Sequence, residues 1–575
     1  MRFRFKQKII LYVLLALNIL SAVYVFYPQE PIVPTETPEK ILLSEPVVWK
    51  TKRHIPETVD LGAYLTAFTA LQNQNLDVVA DKYLQVLKTD KSNEKLAQEA
   101  YFLNALLIRF DKIRFLVDNL SKTHQPALLT EYAEVAYAAK EQNWQKMRDI
   151  LDGKDAHPLD AFLGQLLRAW SYAAENNSVA AYAALDKLKK NPDFMPYYAY
   201  HKGLIGLYFK DVTTADLEFR HMAENSLITA SCLPEMQAFF MTNNAWNLNN
   251  PLFVQTQLLQ AKQPATLELM RAMPVRSITP IRGMAEALYN VSTALGPDAS
   301  VQESALILNA LSLYLQPKAL LPLVWGGEIL EAIGKPAFAS YYYEQMDGVT
   351  NTLRFKKAMN LIQRGQKEKA LVILNKLKAS NSDSLVLWLA LAGVYAESED
   401  WHKTVDAYTH ALETKENLPE AKKAEIYFAR AFFYDKINES DLAESDLLRA
   451  LALNPDDATI LNHLGYRWME KNTNREKGFE LVKKAYKLKP LDPYIIDSMA
   501  FGYYCEGNYT QAVALAEQSV DLMPQSSVAN AHLGDIYAAL GRKREAGFQY
   551  YKALGLKSDL TPELEKELTQ KLAKK

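Results

Sequence analysis

Cysteine is nearly absent. The two in 575 residues, Cys232 and Cys505, exclude a disulfide framework and any multi-cysteine zinc or iron–sulfur site. Glycine is scarce at 21 residues, which argues against a turn-rich β fold, while leucine, alanine, tyrosine and lysine are plentiful and favour helices. Neither sign of charge dominates: 65 lysines and arginines stand against 67 aspartates and glutamates. No whole-chain basic field exists to attract nucleic acid, and no local basic patch replaces it.

The motifs of chemistry are missing too. The nine histidines, His54, His124, His157, His201, His221, His402, His410, His463 and His532, are scattered and form no HExxH helix, so they read as packing or solvated residues. GGEILEAIGKP, residues 326–336, has the wrong glycine spacing for a phosphate loop and places Pro336 where a magnesium-binding Ser or Thr is needed. There is no GxSxG elbow, and Cys505 sits beside the packing residue Tyr504. Carboxylate pairs such as Asp456–Asp457 fall on solvated turns with no apolar pocket to split their pKa values. The expectation is a protein that is not an enzyme, with no catalytic residues, no cofactor and no metal.

What the sequence does have begins with one apolar run. Residues 1–8 carry Arg2, Arg4, Lys6 and Lys8, and Ile9 to Tyr27 then contain no charge. As a helix that run is about 28 Å long, enough to cross a bilayer. The basic end stays inside, so residues 1–8 are expected in the cytoplasm, 9–27 as a signal-anchor, and the rest exported. The alternative is a cleavable signal peptide, but Leu20 fits poorly at the −3 position for cleavage after Ala22. Residues 28–58 hold six prolines and read as an extended tether.

A second positive feature is a spacing. Gly534, Ala546 and Ala553 lie twelve and seven residues apart, and thirty-four residues upstream the same places hold Ala500, Ala512 and Ser519. The series continues through Gly465, Gly478, Ala485, with one inserted residue; Ala431, Ala443, Ala450; Ala392, Thr404, Ala411; and Ala358, Ala370, Leu377. Tyr395, Tyr434, Tyr503 and Tyr537 each follow the first small residue by three, and Pro455, Pro490 and Pro524 close three units. A fixed period of this kind marks a solenoid. Two antiparallel helices joined by a short turn approach closely only where Gly, Ala or Ser lies at the crossing, and twelve residues is the path over that hairpin.

These residues resemble the tetratricopeptide repeat. Its aromatic, Leu-Gly, Tyr, Ala, aromatic, Ala, Pro pattern is matched by Trp388, Tyr395, Tyr408 and Ala411, by Tyr427, Ala431, Tyr434, Ala443, Ala450 and Pro455, and by Leu533, Gly534, Tyr537, Ala546, Tyr550 and Ala553. The resemblance implies an all-α fold, an α–α superhelical solenoid with one amino-terminal transmembrane helix. Residues 351–558 form the repeat array. Residues 59–225 keep the register more faintly, as degenerate hairpins with paired positions Ala67/Val79, Tyr101/Ile113, Val135/Met147, Ala169/Ala181 and Gly203/Ala215. The register is lost from about 226 to 319, so 226–350 is expected to be an irregular helical linker. Thr561 and Pro562 start a capping helix within 559–575, as repeat arrays require.

Stacked hairpins expose a concave face lined by first helices. In the last units its residues include Asn462, Tyr466, Met469, Tyr494, Asp497, Phe501, Tyr504 and Asp535, an aromatic and acidic set suited to an extended peptide or a partner helix. Repeat domains of this family that hold chaperone tails use Lys, Arg and Asn there to grip a carboxylate. Asp497 and Asp535 at inward positions argue against that. Anchor, solenoid and missing catalytic machinery together resemble the envelope tetratricopeptide-repeat proteins of Gram-negative bacteria, and LNHLGYRWMEK, IIDSMAFGYYCEG and ANAHLGDIYAALGR carry most of the likeness. The resemblance implies a scaffold in the inner membrane, N-in and C-out, its soluble part in the periplasm and its partner a protein or peptide. The alternative is a ligand-responsive module with a pocket for a peptide or cell-wall fragment in 226–319.

Overall fold

The computed structural model describes residues 60–573 apart from 74, 91–92, 121–128, 154–157, 226, 228–231, 244–249, 251, 253–276, 297–300, 347–349, 381–382, 416–417 and 557–558. The expected anchor 9–27 and tether 28–58 lie outside these residues. Within them no helix is long and apolar enough to cross a membrane, and there is no strand.

The chain divides into two compact units, the first ending at Ile373 and the second beginning at Leu374. The first unit is a succession of helices: Leu61–Gln72 (α1), Leu76–Thr89 (α2), Glu94–Leu106 (α3), Phe110–Leu120 (α4), Thr130–Lys140 (α5), Trp144–Leu151 (α6), Leu163–Ala174 (α7), Ser178–Asp186 (α8), Met195–Tyr208 (α9), Val212–Glu224 (α10) and Leu233–Thr242 (α11). It continues with Pro280–Leu295 (α12), Gln302–Leu315 (α13), Leu320–Ala332 (α14), Pro336–Glu344 (α15) and Asn351–Gln363 (α16), and the boundary falls inside Lys367–Ser380 (α17). The second unit holds Leu385–Glu397 (α18), Trp401–Glu413 (α19), Glu420–Lys436 (α20), Ser440–Leu453 (α21), Ala458–Glu470 (α22), Arg475–Leu488 (α23), Pro493–Cys505 (α24), Tyr509–Leu522 (α25), Ser527–Ala539 (α26), Lys543–Gly555 (α27) and Pro562–Ala573 (α28).

Local chemistry sets the hairpins. Second helices begin on Asn or Asp: Asn177, Asp211, Asp400 and Asn508 each accept a hydrogen bond from a backbone N–H of the first turn. First helices end in a left-handed residue. Gly507 and Gly541 fill that place with φ +75° and +76°, and Asn508 N–H returns to Tyr503 C=O at 2.9 Å, a Schellman closure. Gln142, Asn176, Lys210, Glu399, Asn438 and Asn472 adopt the same conformation without being glycine. Their strain is tolerated because the hairpin on either side is packed.

The small residues do what their spacing implies. A Cβ added to Gly465 would sit 2.5 Å from the carbonyl oxygen of Gly478, and one on Gly478 would sit 2.6 Å from that of Gly465. The backbones of α22 and α23 therefore touch, which only glycine permits. Ala431, Ala443, Ala500, Ala512, Ala546 and Ala553 are all buried at the matching places. In the first unit the fainter pairs, from Ala67/Val79 to Gly203/Ala215, are buried as well.

The stretch 226–350, expected to be irregular, differs from that expectation over its described residues. α12 pairs with α13, and α14 with α15, as antiparallel hairpins. Small residues again mark the crossings: Ser292 Oγ donates to Ala305 C=O at 2.7 Å, and Gly327, twelve residues before buried Ala339, leaves room for the Tyr343 ring. Gly326, the other glycine of the phosphate-loop-like motif, is covered by Tyr342. The interval between Ser292 and Ala305 is thirteen residues, one more than the usual twelve and the same as that between Gly465 and Gly478.

This hairpin also decides the core of the first unit. α12 lies against α7 and α9, and α13 against α3 and α5, so four first helices close on it. Gly283 meets the face of Trp170, whose indole N–H donates to His201 Nδ1 at 3.0 Å, and the other ring nitrogen of His201 lies 3.2 Å from the Asn290 side-chain amide. Tyr314 donates to Asp111 at 2.6 Å. Further along, α15 sets Ala337, Phe338 and Tyr341 against the core of α1 to α3. The inner face of the first unit is thus filled by its own chain.

Candidate partner-binding face

In the second unit the first helices remain close to one another: α22 touches α24, and α24 touches α26, across the second helix between them. The side on which alternate helices approach is the inside of the curve. Its floor is fixed by two buried arginines, each paired with a carboxylate. Arg430 grips Asp446 with Nε and Nη2 at 2.7 and 2.9 Å, and Arg467 spans from α22 to Asp435 at 2.6 Å and to Ser440. Neither arginine is free to bind a guest.

On this floor stands a ring cluster. Tyr466 of α22 and Phe501 of α24 have centroids 5.4 Å apart, Phe501 and Tyr504 are 6.3 Å apart, and the His532 imidazole of α26 stacks on Phe501 at 4.9 Å and 26°. Three repeats contribute one side each. His532 Nδ1 lies 2.9 Å from Asp497 Oδ2, and Tyr466 Oη lies 3.2 Å from Glu470 and 3.4 Å from His532 Nε2. Burial opposes the charge on His532, but the neighbouring carboxylates of Asp497, Asp535 and Glu470 hold its pKa above the ordinary histidine value. Burial, with Glu470 and Asp497 beside it, raises the Tyr466 phenol well above its usual range.

Of the residues expected here, the structure brings Tyr466, Asp497, Phe501 and Tyr504 together. Asp535 stands one turn from His532, where it accepts from Tyr550 at 2.7 Å and from Lys571 of α28 at 2.6 Å. Asn462 is buried one turn before Tyr466, and its Oδ1 has no hydrogen-bond partner among the described residues. Tyr494 lies two turns before Phe501 at the start of α24, 49% exposed. Met469 is corrected: it is buried with Phe479 and Val482 in the seam between α22 and α23, off the face. Asp535 is paired with the Lys571 ammonium and Asp497 with the His532 imidazole, so neither carboxylate stands unpaired to repel a guest, as the sequence had suggested. His532 is the residue that sequence reasoning missed. Its signal was there, since it precedes Asp535 by three and so shares its face.

Cys505 is partly buried, and burial raises its pKa, away from nucleophilic thiolate. Among the described residues no three His, Cys, Asp or Glu side chains gather as metal ligands.

The tetratricopeptide repeat model matches residues 424–457 and 528–560, which are α20–α21 and α26–α27 with their turns. A TPR repeat-containing protein of Pseudomonas aeruginosa, PA4667, is 31% identical over 176 residues, 30% of this chain and 29% of that protein. The human protein O-mannosyl-transferase TMTC1 is 23% identical over 216 residues, 36% of this chain and 24% of its own. The match spans under a third of the length of either relative. Solved structures similar to parts of the chain include a tetratricopeptide repeat protein from Parabacteroides merdae, with TM-score 0.35, 17% identity, and coverage of 44% of this chain and 97% of that one. Pseudomonas aeruginosa pilF has TM-score 0.31 and 18% identity, covering 39% of this chain and 97% of its own. The Cut9–Hcn1 structure has TM-score 0.34 and 14% identity, covering 88% and 96%.

Proposed function

With tetratricopeptide repeats as the building block of the second unit, we propose that the protein is a non-catalytic adaptor that holds a partner protein or peptide on the inner face of α22, α24 and α26. The observation that carries this reading is the shared ring cluster of Tyr466, Phe501 and His532, three side chains from three successive repeats turned to one side. A row of half-buried aromatics with hydrogen-bonding groups between them suits an extended chain. In the first unit the equivalent face is occupied by α12 and α13, which leaves the second unit to receive a guest.

The basic segment 1–8 and the apolar run 9–27 support an inner-membrane anchor with the repeats in the periplasm, where the partner would be an envelope assembly factor or enzyme. Chemical crosslinking in intact cells, followed by capture of the tagged full chain, is expected to yield one stoichiometric partner that is lost with Phe501→Ala. Recovery of the same partner with the substituted face would end the proposal. Intact mass of the membrane-extracted protein tests the anchor: loss of the first twenty-odd residues would mean cleavage.

A second reading keeps a small-ligand site in 226–319, since an open cavity of about 360 Å³ is lined there by Ser277, Thr279, Arg282 and Gln316. Its test is a thermal-shift series with peptidoglycan fragments, in which a true ligand raises the melting temperature with concentration.

A further inference from the structure

The face has an internal occupant whose geometry describes the external one. The His532 ring lies flat on Phe501, 4.9 Å away and tilted by 26°, with an N–H directed to one oxygen of Asp497. Asp497 is 6% exposed, and its other oxygen, Oδ1, is buried with no hydrogen-bond partner among the described residues. A planar donor stacked on an aromatic ring and bonded to a carboxylate is how a guanidinium binds, except that the guanidinium fork reaches both oxygens at once. The surroundings favour a cation: Glu470 and Asp497 flank the rings, while Lys571, near Tyr504, is committed to Asp535 and Glu567.

Resting on the adaptor reading, we propose that the site formed by Tyr466, Asp497, Phe501 and Tyr504 receives an arginine side chain of the partner peptide, which takes the place of the His532 imidazole on Phe501 and Asp497. His532 is then a built-in competitor. It releases the site when neutral and holds it when charged, because imidazolium pairs with the Asp497 carboxylate and repels the incoming cation. The groups that set its charge are Asp497 of α24, Asp535 on its own helix and Glu470 of α22, with the Tyr466 phenol 3.4 Å from its Nε2; Tyr504 and Cys505 of α24 stand beside Phe501 and Tyr466. Beyond Tyr504 stands Tyr509 of α25, and beyond Asp535 stand Tyr550 of α27 and Glu567 and Lys571 of α28. The nearest carboxylates keep the histidine pKa raised, so His532 holds its proton, and the site, to a higher pH than a free histidine would.

The test uses the full chain in detergent and a fluorescein-labelled peptide, Ala-Ala-Arg-Ala-Ala-Arg-Ala-Ala, beside the same peptide with Gln for Arg. Fluorescence anisotropy is expected to show the arginine peptide binding at least tenfold more tightly at pH 8. Asp497→Asn should bring the two peptides within twofold, and His532→Ala should tighten arginine binding about threefold or more. Between pH 8 and pH 5.5 the wild type should lose affinity for the arginine peptide, and His532→Ala should not. Glu545→Gln, on second helix α27, should change nothing. Equal binding of the two peptides, an unchanged ratio in Asp497→Asn, or a pH response that survives in His532→Ala would overturn the proposal. Should Asp497→Asn fail to fold, the His532→Ala affinity and pH response decide alone. A partner captured in cells through Phe501 but indifferent to arginine would sink this inference and leave the adaptor reading standing; no partner at all would sink the adaptor reading.

Discussion

The two units of this protein are built from the same kind of hairpin and put their inner faces to opposite uses. In the first, α12 and α13 lie on α3, α5, α7 and α9, and the inner face has become a core with Trp170, Tyr200 and His201 fully buried. In the second, the Phe501 ring is met by His532 of the array's own α26, and Tyr466, Phe501 and Tyr504 stay partly exposed. The lesson is that a curved helical array has an inside that something must fill. Where the chain supplies the filling, most residues there are large and apolar, and a charged one such as Arg282 is paired, here with Glu235. Where it does not, they stay aromatic, hydrogen-bonding and partly charged, a surface able to exchange one occupant for another.

The sharpest way to break that contrast is to empty the filled face. Trp170→Ala is expected to destabilise the first unit by about 3–5 kcal/mol, the cost of removing a buried aromatic and leaving a cavity. Hydrogen exchange read by peptide mass spectrometry should show lost protection in α7 and α12 and none in α24. If α24 loosened equally, the two units would not be separate bodies.

Acidity offers a second test. Burial pushes the His201 pKa down to about 3 in the fold, against about 6.5 for a free histidine. The unfolded chain therefore takes up the proton first. Stability from this residue is complete above about pH 6.5 and is lost by up to roughly 1.4 kcal/mol per unit as pH falls from there toward 3. Glu286 works in the other direction: burial, and then Glu235, raise it to about 7, so its contribution is complete below the ordinary carboxyl range and is lost as pH rises through 7. The first unit should be most stable in weakly acid solution. Urea midpoints against pH should show both limbs, the acid one shallower in His201→Gln and the alkaline one flatter in Glu286→Gln.

A third substitution addresses the hairpin that both units share. Gly478→Ala drives a methyl into the Gly465 carbonyl and should cost about 1–3 kcal/mol by overpacking, read as a lower denaturant midpoint for the second unit. The smallest effect is expected at a helix start. Asn177→Ala removes the cap on the Ala180 N–H and should cost about 1 kcal/mol in the first unit, whereas replacing Asn508, which caps Gln511 N–H in the second, should cost a similar amount there. Unequal losses would mean that packing, and not capping, fixes one of the two turns.

Much of this was legible in advance. Gly534 with Ala546 and Gly465 with Gly478 announced their hairpins because a crossing tolerates so few side chains. The candidate face followed by counting along first helices, which brought Tyr466, Asp497 and Phe501 to one side. Ser292 with Ala305 and Gly327 with Ala339 were missed. The first pair has the same thirteen-residue interval as Gly465 and Gly478 but no neighbouring unit in phase to point to it, and the glycines of the second sat inside a motif that suggested phosphate. Met469 was misplaced because its position lies at the border between face and seam, where a rotation of a few degrees decides which side a thioether takes. His532 was passed over although its spacing of three from Asp535 put it on the face, because Asp497, the carboxylate it meets, is thirty-five residues away.

The sequence by itself determined the hairpin, its length, its crossing residues and its caps, since these are short-range consequences of steric bulk and backbone hydrogen bonding within about forty residues. Only the tertiary structure decided which inner face is closed and which is open. That choice rests on contacts such as Asn290 with His201 and Tyr314 with Asp111, eighty-nine and two hundred and three residues apart, which no local spacing encodes. A helix carries its own periodicity, but the identity of what it buries against is settled by the shape of a surface that exists only after the array has stacked.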